Sequence, residues 1–293
     1  MQRRDFILGS LAGLAWPLAI RSSAPGDGAR KAAQSLDEIE ARAGGRLGVA
    51  TLEVDTGRRL VHRPDERFPM CSTFKWLLVA QVLSRVDRGE ERLERRVAYD
   101  AKDLLEHAPT TRARLGEGFM SVSELCEAAI EVSDNTAANL LLSSVGGPGG
   151  FTAYLRGLGD SVTRLDRIEP ELNSAVAGDP RDTTTPAAMV ANLRSLLLGS
   201  ELSQASRKRL IGYLVGSTTG AAKLRAGLPG HWRVGDKTGT GANGATNDVA
   251  IVWPAPQKPF LVAAYLAEAA APEKERNGAL ADVGHLVAGW VGA

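Results

Sequence analysis

Hydrophobic periodicity changes twice along this chain, and that change constrains the fold more than any other feature. Alternation typical of strands occurs near both ends, whereas apolar residues in the middle recur at helical spacing. Such a chain is most simply an α+β protein, in which an antiparallel sheet flanked by N- and C-terminal helices carries an inserted all-helical domain. The pattern predicts helices at residues 35–43, 74–86, 121–131, 136–144, 186–198, 203–214 and 279–290, and strands at 47–52, 59–62, 232–235, 248–253 and 260–267.

The same pattern predicts where the domains divide. Residues 25–66 and 214–293 are expected to form the α/β domain, and residues 67–213 the all-helical domain, with a cleft where the two meet. Residues 159–185 are the least regular ordered stretch and are rich in Asp, Arg, Gly and Pro. A structureless stretch of that length inside a compact domain usually has a function.

Charge and cysteine content narrow the classes of partner. The chain has 35 Lys and Arg against 34 Asp and Glu, and it has no basic tract long enough to follow a nucleic acid or an anionic membrane. Two cysteines, Cys71 and Cys126, are too few for a disulfide framework and match no zinc-binding spacing. We therefore expect no nucleic-acid partner and no metal site, and composition alone leaves the function open.

The first 24 residues read as an export signal. Arg3 and Arg4 precede an apolar run from Leu8 to Ile20, which is too short to span a bilayer comfortably and is followed by small residues at 22–24. The paired arginines resemble a twin-arginine signal. We expect the signal to be cleaved, leaving a periplasmic or secreted protein without a stable membrane anchor.

A first candidate site is Ser72-Thr73-Phe74-Lys75, at the head of a strongly apolar helix. Helical spacing of three puts the Ser72 hydroxyl and the Lys75 amine on one face, within hydrogen-bonding distance. Unpaired N–H groups and the helix dipole favour negative charge at an attacked carbonyl. A nucleophilic serine fits this pattern, and so does an N-cap serine followed by a solvated lysine.

Two further motifs gather polar side chains beside predicted elements. Ser133-Asp134-Asn135 precedes a predicted helix, and its simplest interpretation is a helix-capping cluster. Lys237-Thr238-Gly239-Thr240-Gly241 ends a predicted strand, where glycines permit close approach of a ligand and a lysine can bind a carboxylate. A glycine-rich hairpin turn has the same composition.

The order, gaps and placement of the three motifs resemble the class A serine β-lactamases, and the resemblance covers essentially the whole chain after the signal. Residues 133–140 and 181–186 also look like the family. A fourth motif, Glu169-Pro170-Glu171-Leu172-Asn173, resembles the family's omega loop, here residues 164–182. The resemblance implies hydrolysis of the β-lactam amide bond, and with it antibiotic resistance.

The resemblance also implies a role for each motif residue. Ser72 would attack the β-lactam, Lys75 and Ser133 would relay protons, and Glu169 with Asn173 would hold the water that discharges the acyl-enzyme. Whether Lys75 or Glu169 takes the first proton stays open. The backbone N–H groups of Ser72 and Thr240 would form an oxyanion hole. The substrate would be bound by Asn135, Lys237, Thr238, Gly239 and Thr240, and no cofactor is expected.

The resemblance also implies several structural features. They include an ion pair between Arg167 and Asp182 that pins the omega loop, and a cis peptide bond before Pro170. Some members pair a cysteine at the position of Cys71 with one at the position of Gly241, and others pair one at Cys126 with one at Val79. Neither partner is present here, so two free thiols are expected.

Two residues occupy positions that vary in the family. His107 lies where many members carry an aromatic gatekeeper, and Lys223 where some place an arginine near the carboxylate site. Both are candidate substrate-binding residues, and each is equally consistent with an ordinary surface side chain.

Two rival functions share most of these motifs. A penicillin-binding carboxypeptidase or transpeptidase uses the same serine, lysine and Lys-Thr-Gly set, but Glu169 and Asn173 argue against it. A β-lactam receptor that is acylated once needs a membrane anchor and an internal signalling segment, and the sequence shows neither. We expect a monomeric hydrolase.

Overall fold

The computed structural model describes residues 27–256 and 258–291, so the predicted export signal at residues 1–24 lies outside the described residues. None of the helices described is long and apolar enough to cross a membrane. The helices are α1 (Asp27–Ala43), α2 (Phe74–Asp87), α3 (Pro109–Ala113), α4 (Val122–Glu131), α5 (Asn135–Ser144), α6 (Gly147–Gly157), α7 (Pro186–Leu198), α8 (Gln204–Gly216), α9 (Leu224–Gly227) and α10 (Glu273–Val291). The strands are β1 (Arg46–Glu53), β2 (Val61–His62), β3 (Phe68–Pro69), β4 (Arg96–Ala98), β5 (Phe119–Ser121), β6 (Thr183–Thr184), β7 (Arg233–Thr240), β8 (Thr246–Ala255) and β9 (Lys258–Ala267).

Five of these strands form one antiparallel sheet in the order β2-β1-β9-β8-β7. The first long strand therefore pairs with the last, with Arg46 opposite Ala267 and Glu53 opposite Phe260. The central strand β9 is buried from Pro259 onward, which explains its unbroken apolar sequence. The strand β7 lies at the opposite edge from β2 and carries the Lys-Thr-Gly motif.

Each face of the sheet has its own hydrophobic core. Tyr265 faces the helical middle of the chain and belongs to the same core as Trp76 of α2. On the other face, Val262 belongs to a core with Leu36 of α1 and Val283 of α10. The predicted α+β class, with an antiparallel sheet flanked by N- and C-terminal helices, is confirmed.

Helix α2 lies at the centre of the larger core. Every residue from Phe74 to Ser84 is buried, as expected for a helix that is surrounded by other elements. The Trp76 indole N–H points at the sulfur of Met189 on α7, at 3.3 Å. The start of α2, where Ser72 and Lys75 lie, is therefore fixed by packing on all sides.

Some elements were not predicted, for identifiable reasons. The apolar pattern marks only residues 232–235 of one strand, and the structure shows that strand running to Thr240, through the Lys-Thr-Gly motif that was predicted to end it, with Lys237 and Thr238 buried. Helix α6 begins with glycines and a proline, which disfavour a helical prediction although Pro is well tolerated in a first turn. Residues 67–213 also contain two small sheets, β3–β6 and β4–β5, whose strands are too short to show a period. The division into two domains stays a prediction.

Candidate active site

The Ser72 hydroxyl is presented by a short 3₁₀ turn, Cys71–Thr73, that runs directly into α2. Cys71 has a φ of 46°, in the left-handed region that non-glycine residues rarely adopt. The turn is held on the sheet by Asn247, whose Nδ2 donates to the Met70 carbonyl at 3.1 Å and to the Pro69 carbonyl at 2.8 Å. Strained backbone of this kind persists where the surrounding structure fixes it, and it is common at functional sites.

Lys75 and Glu169 form a buried ion pair beside that hydroxyl. The Lys75 Nζ lies 3.0 Å from Glu169 Oε1, and both side chains are fully buried. Ser72 Oγ donates to the same carboxylate oxygen at 3.3 Å. Burial lowers the pKa of Lys75, and the charge of Glu169 opposes that shift. A hydroxyl, an amine and a carboxylate thus meet in one site.

A direct hydrogen bond between Ser72 and Lys75, which the helical spacing would allow, is not among those of the described residues. The amine is instead saturated by the Ser133 carbonyl at 2.8 Å, Asn135 Oδ1 at 2.5 Å and Glu169. Those groups carry more negative charge than a hydroxyl, so they are the better partners for an ammonium. Ser72 and Lys75 do lie on one face, as the helical spacing predicted, and both contact Glu169 Oε1.

Glu169 is positioned by the omega loop. Arg167 Nε donates to Asp182 Oδ2 at 2.5 Å, and the backbone N–H of Asp166 donates to Asp182 Oδ1 at 2.7 Å. The Glu169–Pro170 peptide bond is cis. The ion pair and the cis bond implied by the family resemblance are both present.

Two amide side chains complete the surroundings of Glu169. Asn173 Nδ2 donates to Glu169 Oε2 at 2.5 Å. Asn139 on α5 accepts from the Glu169 N–H at 3.0 Å and donates to the Glu169 carbonyl at 2.9 Å. Sequence reasoning missed this role of Asn139, since only its place in a family-like stretch pointed to it. The paired bonds clamp the loop backbone onto the helical side of the site.

Ser133 lies between two lysines. Its Oγ is 3.3 Å from Lys75 Nζ and 3.0 Å from Lys237 Nζ, and its φ is 57°. The neighbouring Asp134 is fully buried and caps α5 by accepting from the Ala137 N–H at 2.9 Å. The capping interpretation is therefore correct for Asp134, whereas Ser133 points into the site.

Strand β7 brings Lys237 and its neighbours to the same place. Burial, followed by the charges of Lys75 and Lys223, holds the pKa of Lys237 well below its usual range. Thr238 Oγ1 is 2.6 Å from the Thr219 hydroxyl. A Cβ at Gly239 would lie 2.8 Å from the Met70 carbonyl, closer than real Cβ atoms approach. Glycine there lets the strand pack against the 3₁₀ turn that carries Ser72, with Thr240 exposed just beyond.

Lys223 belongs to this site and not to the surface. It is only 5% exposed, and its Nζ donates to the Gly239 carbonyl at 3.0 Å and to Thr240 Oγ1 at 3.1 Å. His107 is exposed, with Nε2 3.0 Å from the Val132 carbonyl, and its own carbonyl accepts from the Asn135 N–H at 2.9 Å. The surface interpretation is wrong for Lys223, and His107 lies on the rim beside Asn135.

Both cysteines are free and buried, as expected. Burial, reinforced by the charge of Glu169, raises the pKa of Cys71 to about 12. Burial also raises the pKa of Cys126. Neither thiol has the lowered pKa of a reactive cysteine.

Comparison with known proteins agrees with this geometry. The model of the Beta-lactamase enzyme family matches residues 31–291. A solved structure titled Ancestral (GNCA) Beta-lactamase class A superposes with a TM-score of 0.86 at 59% identity, covering 87% of this chain and 98% of that one. The chain belongs to the class A β-lactamases.

Other class A β-lactamases are similar over comparable lengths. Beta-lactamase L2 of Stenotrophomonas maltophilia is 48% identical over 303 residues, which covers 100% of both chains. Beta-lactamase AST-1 of Nocardia asteroides is 46% identical over 87% of this chain and 82% of its own length. The putative PenP of Rhodopseudomonas palustris superposes with a TM-score of 0.86 at 55% identity, covering 88% of this chain and 99% of that one. These comparisons give no support to the rival peptidase or receptor.

Proposed function

We propose that this class A β-lactamase hydrolyses the amide bond of penicillins and cephalosporins through an acyl-enzyme on Ser72, and so confers antibiotic resistance. The observation that carries the proposal is the contact of Glu169 Oε1 with both the Ser72 hydroxyl and the Lys75 amine. A carboxylate within reach of the nucleophile is what separates a hydrolase from an enzyme that stays acylated.

In the first step Ser72 Oγ attacks the β-lactam carbonyl and loses its proton. Ser72 already donates to Glu169, which supports the carboxylate as acceptor of that proton. The lowered pKa of Lys75 supports the amine as the alternative acceptor, because a neutral amine is a base. The choice between these two bases is left to experiment.

The oxyanion would be held by the backbone N–H groups of Ser72 and Thr240. The close packing of Gly239 on the Met70 carbonyl supports this, since it brings the end of β7 against the turn that carries Ser72. Loss of one such donor typically costs about 3 kcal/mol of transition-state stabilisation. Both donors are main-chain groups on rigid elements, so they require no reorganisation when charge develops.

Ser133 would hand a proton to the ring nitrogen as the amide bond breaks. Its Oγ accepts a hydrogen bond from a lysine Nζ on each side, at 3.3 and 3.0 Å. Two such donors stabilise negative charge on the oxygen and make the hydroxyl a better proton donor, and the proton can be replaced from Lys75 once it has taken the proton of Ser72. Asn135 would bind the substrate amide side chain from the same loop.

Discharge of the ester would use a water held by Glu169 and Asn173. Asn173 binds Glu169 Oε2 through Nδ2, while its Oδ1 is buried and has no hydrogen-bond partner among the described residues. That oxygen is available to accept from a water beside the carboxylate. Glu169 would take the proton of this water as it attacks the acyl carbon.

The substrate carboxylate would be bound at the end of β7. Lys237, Thr238 and Thr240 supply a cation and two hydroxyls there, and Lys223 contributes a second cation through its contact with Thr240. His107 would border the entrance. We also propose that residues 1–24 export the protein, and that it is released as a monomer into the periplasm or the medium.

Mixing the purified protein with excess chromogenic cephalosporin tests the function. We expect many turnovers per molecule, whereas a single stoichiometric burst would indicate the peptidase or receptor instead. Ser72→Ala is expected to abolish both the colour change and the acyl mass increase. Turnover that survives Ser72→Ala would show that the nucleophile lies elsewhere.

A further inference from the structure

The Thr238 hydroxyl, which the proposed function assigns to the substrate carboxylate, is itself hydrogen-bonded to a second hydroxyl. Thr219 Oγ1 lies 2.6 Å from Thr238 Oγ1, within the normal range for a hydrogen bond between two hydroxyls. Thr238 is only 6% exposed, so solvent has little access to its oxygen. Among the described residues, Thr219 is the one hydrogen-bond partner of the Thr238 side chain. What Thr238 can offer a ligand therefore depends on Thr219.

The loop between α8 and α9, residues 217–223, holds Thr219 in place from two sides. Gly220 packs so closely on β7 that a Cβ there would overlap the Asp236 carboxylate. On the other side, the N–H and the hydroxyl of Thr218 both donate to the Glu131 carbonyl of α4, at 2.9 and 3.0 Å. The position of the Thr219 hydroxyl is thus set by its two anchored neighbours.

The direction of the hydrogen bond between the two threonines decides what Thr238 can bind. A threonine hydroxyl has one proton to donate and two lone pairs that accept. If Thr238 donates to Thr219, its proton is used and only lone pairs remain for a carboxylate, which they repel. If Thr219 donates instead, the Thr238 proton is free. Because a carboxylate accepts and does not donate, its binding at Thr238 requires the second direction.

The surroundings favour that second direction. Ser217 is buried, and its Oγ lies 3.4 Å from Thr219 Oγ1, so it can donate to Thr219 while Thr219 donates to Thr238. Hydroxyls linked in one direction polarise one another and strengthen the final donor. Thr240, two residues further along β7, has a similar arrangement with a different partner, since Lys223 Nζ donates to its Oγ1 at 3.1 Å. Both threonine oxygens of the motif can therefore accept from the protein and donate to a ligand.

We propose that Thr219 is a positioning residue, which donates to Thr238 and so directs the Thr238 proton at the substrate carboxylate. Thr219 acts through Thr238 and does not touch the substrate. This inference rests on the proposed function, because it deepens the carboxylate site at the end of β7. The Thr219 hydroxyl should then matter for substrates with a free carboxylate and not for substrates without one.

Thr219→Val tests the inference, because valine keeps the branched shape of threonine and lacks the hydroxyl. The probes are a penicillin with a free carboxylate and the methyl ester of the same penicillin. We expect kcat/KM for the acid to fall about fivefold, mainly through KM, and kcat/KM for the ester to stay near its wild-type value. Thr219→Ser keeps a hydroxyl and should restore the value for the acid. Thr218→Val is the matched control, because it removes the adjacent hydroxyl, which donates to the Glu131 carbonyl, and it should leave both values unchanged.

A double-mutant cycle separates positioning from direct contact with the substrate. In a Thr238→Val background the Thr219 hydroxyl has no proton to direct, so Thr219→Val should leave the ratio of acid to ester unchanged there. Thr219→Ala removes the same hydroxyl if Thr219→Val folds poorly. A further loss for the acid in the Thr238→Val background would overturn the inference, and so would equal changes for acid and ester or an unchanged value for the acid in Thr219→Val. Absence of turnover by the wild-type protein would instead refute the proposed function.

Discussion

Replacing Glu169 with Gln removes a carboxylate that contacts both Ser72 and Lys75, at 3.3 and 3.0 Å, while keeping the size of the side chain. A positioned general base contributes about 10²- to 10⁴-fold, so we expect deacylation to slow by about 10³-fold, or roughly 4 kcal/mol of activation free energy. Ser133, Lys237 and the backbone N–H groups are untouched, so the acyl-enzyme should still form. Deacylation then becomes rate-limiting and the ester accumulates.

Mass spectrometry of Glu169→Gln mixed with excess penicillin should show a persistent increase equal to the mass of the drug. Stopped-flow absorbance should show a stoichiometric burst followed by slow turnover. Glu171→Gln is the matched control, because Glu171 is an exposed carboxylate two residues further along the same loop. Turnover of Glu169→Gln at the wild-type rate would refute the assignment of the base.

The remaining predictions concern the surroundings of that carboxylate. Asn139→Ala should lower kcat about tenfold, because it removes two hydrogen bonds to the Glu169 backbone worth about 1 kcal/mol each. An unchanged kcat in steady-state assays would show that Asn139 does not position Glu169. Gly241→Ala should lower the free energy of unfolding by about 1–3 kcal/mol in urea titrations, because its Cβ would lie 2.6 Å from Cys71 Sγ and 2.8 Å from the Asn173 carbonyl. Cys71 and Cys126 should react with a thiol reagent at neutral pH only after denaturation, and rapid labelling of the native protein would show that the burial is wrong.

Much of the fold could be predicted because its signals are local. The helix at Phe74–Asp87 and the strand at Lys258–Ala267 are long and strongly apolar, and both were predicted within about two residues. In the strand that ends at Thr240 the apolar pattern marked only residues 232–235, since Asp236, Lys237 and Thr238 are polar although buried, and its end was predicted from the Lys-Thr-Gly motif. Strands of two or three residues, such as Thr183–Thr184, are too short to show a hydrophobic periodicity.

The candidate site could likewise be predicted from the sequence only in part. The family resemblance of the motifs implied which residues meet, including Ser72, Lys75 and Glu169. It did not predict which hydrogen bonds form, because Lys75 is nearly equidistant from several acceptors and the choice depends on three-dimensional packing. The role of Asn139 depends on contacts with a residue 30 positions away, which a linear pattern does not reveal.

The pairing of the first long strand with the last has a consequence for how the molecule is made. Arg46 meets Ala267, so more than two hundred residues must be translated before the sheet can close. The strand with Lys237 joins the sheet only through its neighbour β8, which in turn needs β9. A polypeptide that ends before residue 267 therefore lacks a complete sheet. Truncation near the C-terminus should then abolish activity as fully as truncation near the N-terminus.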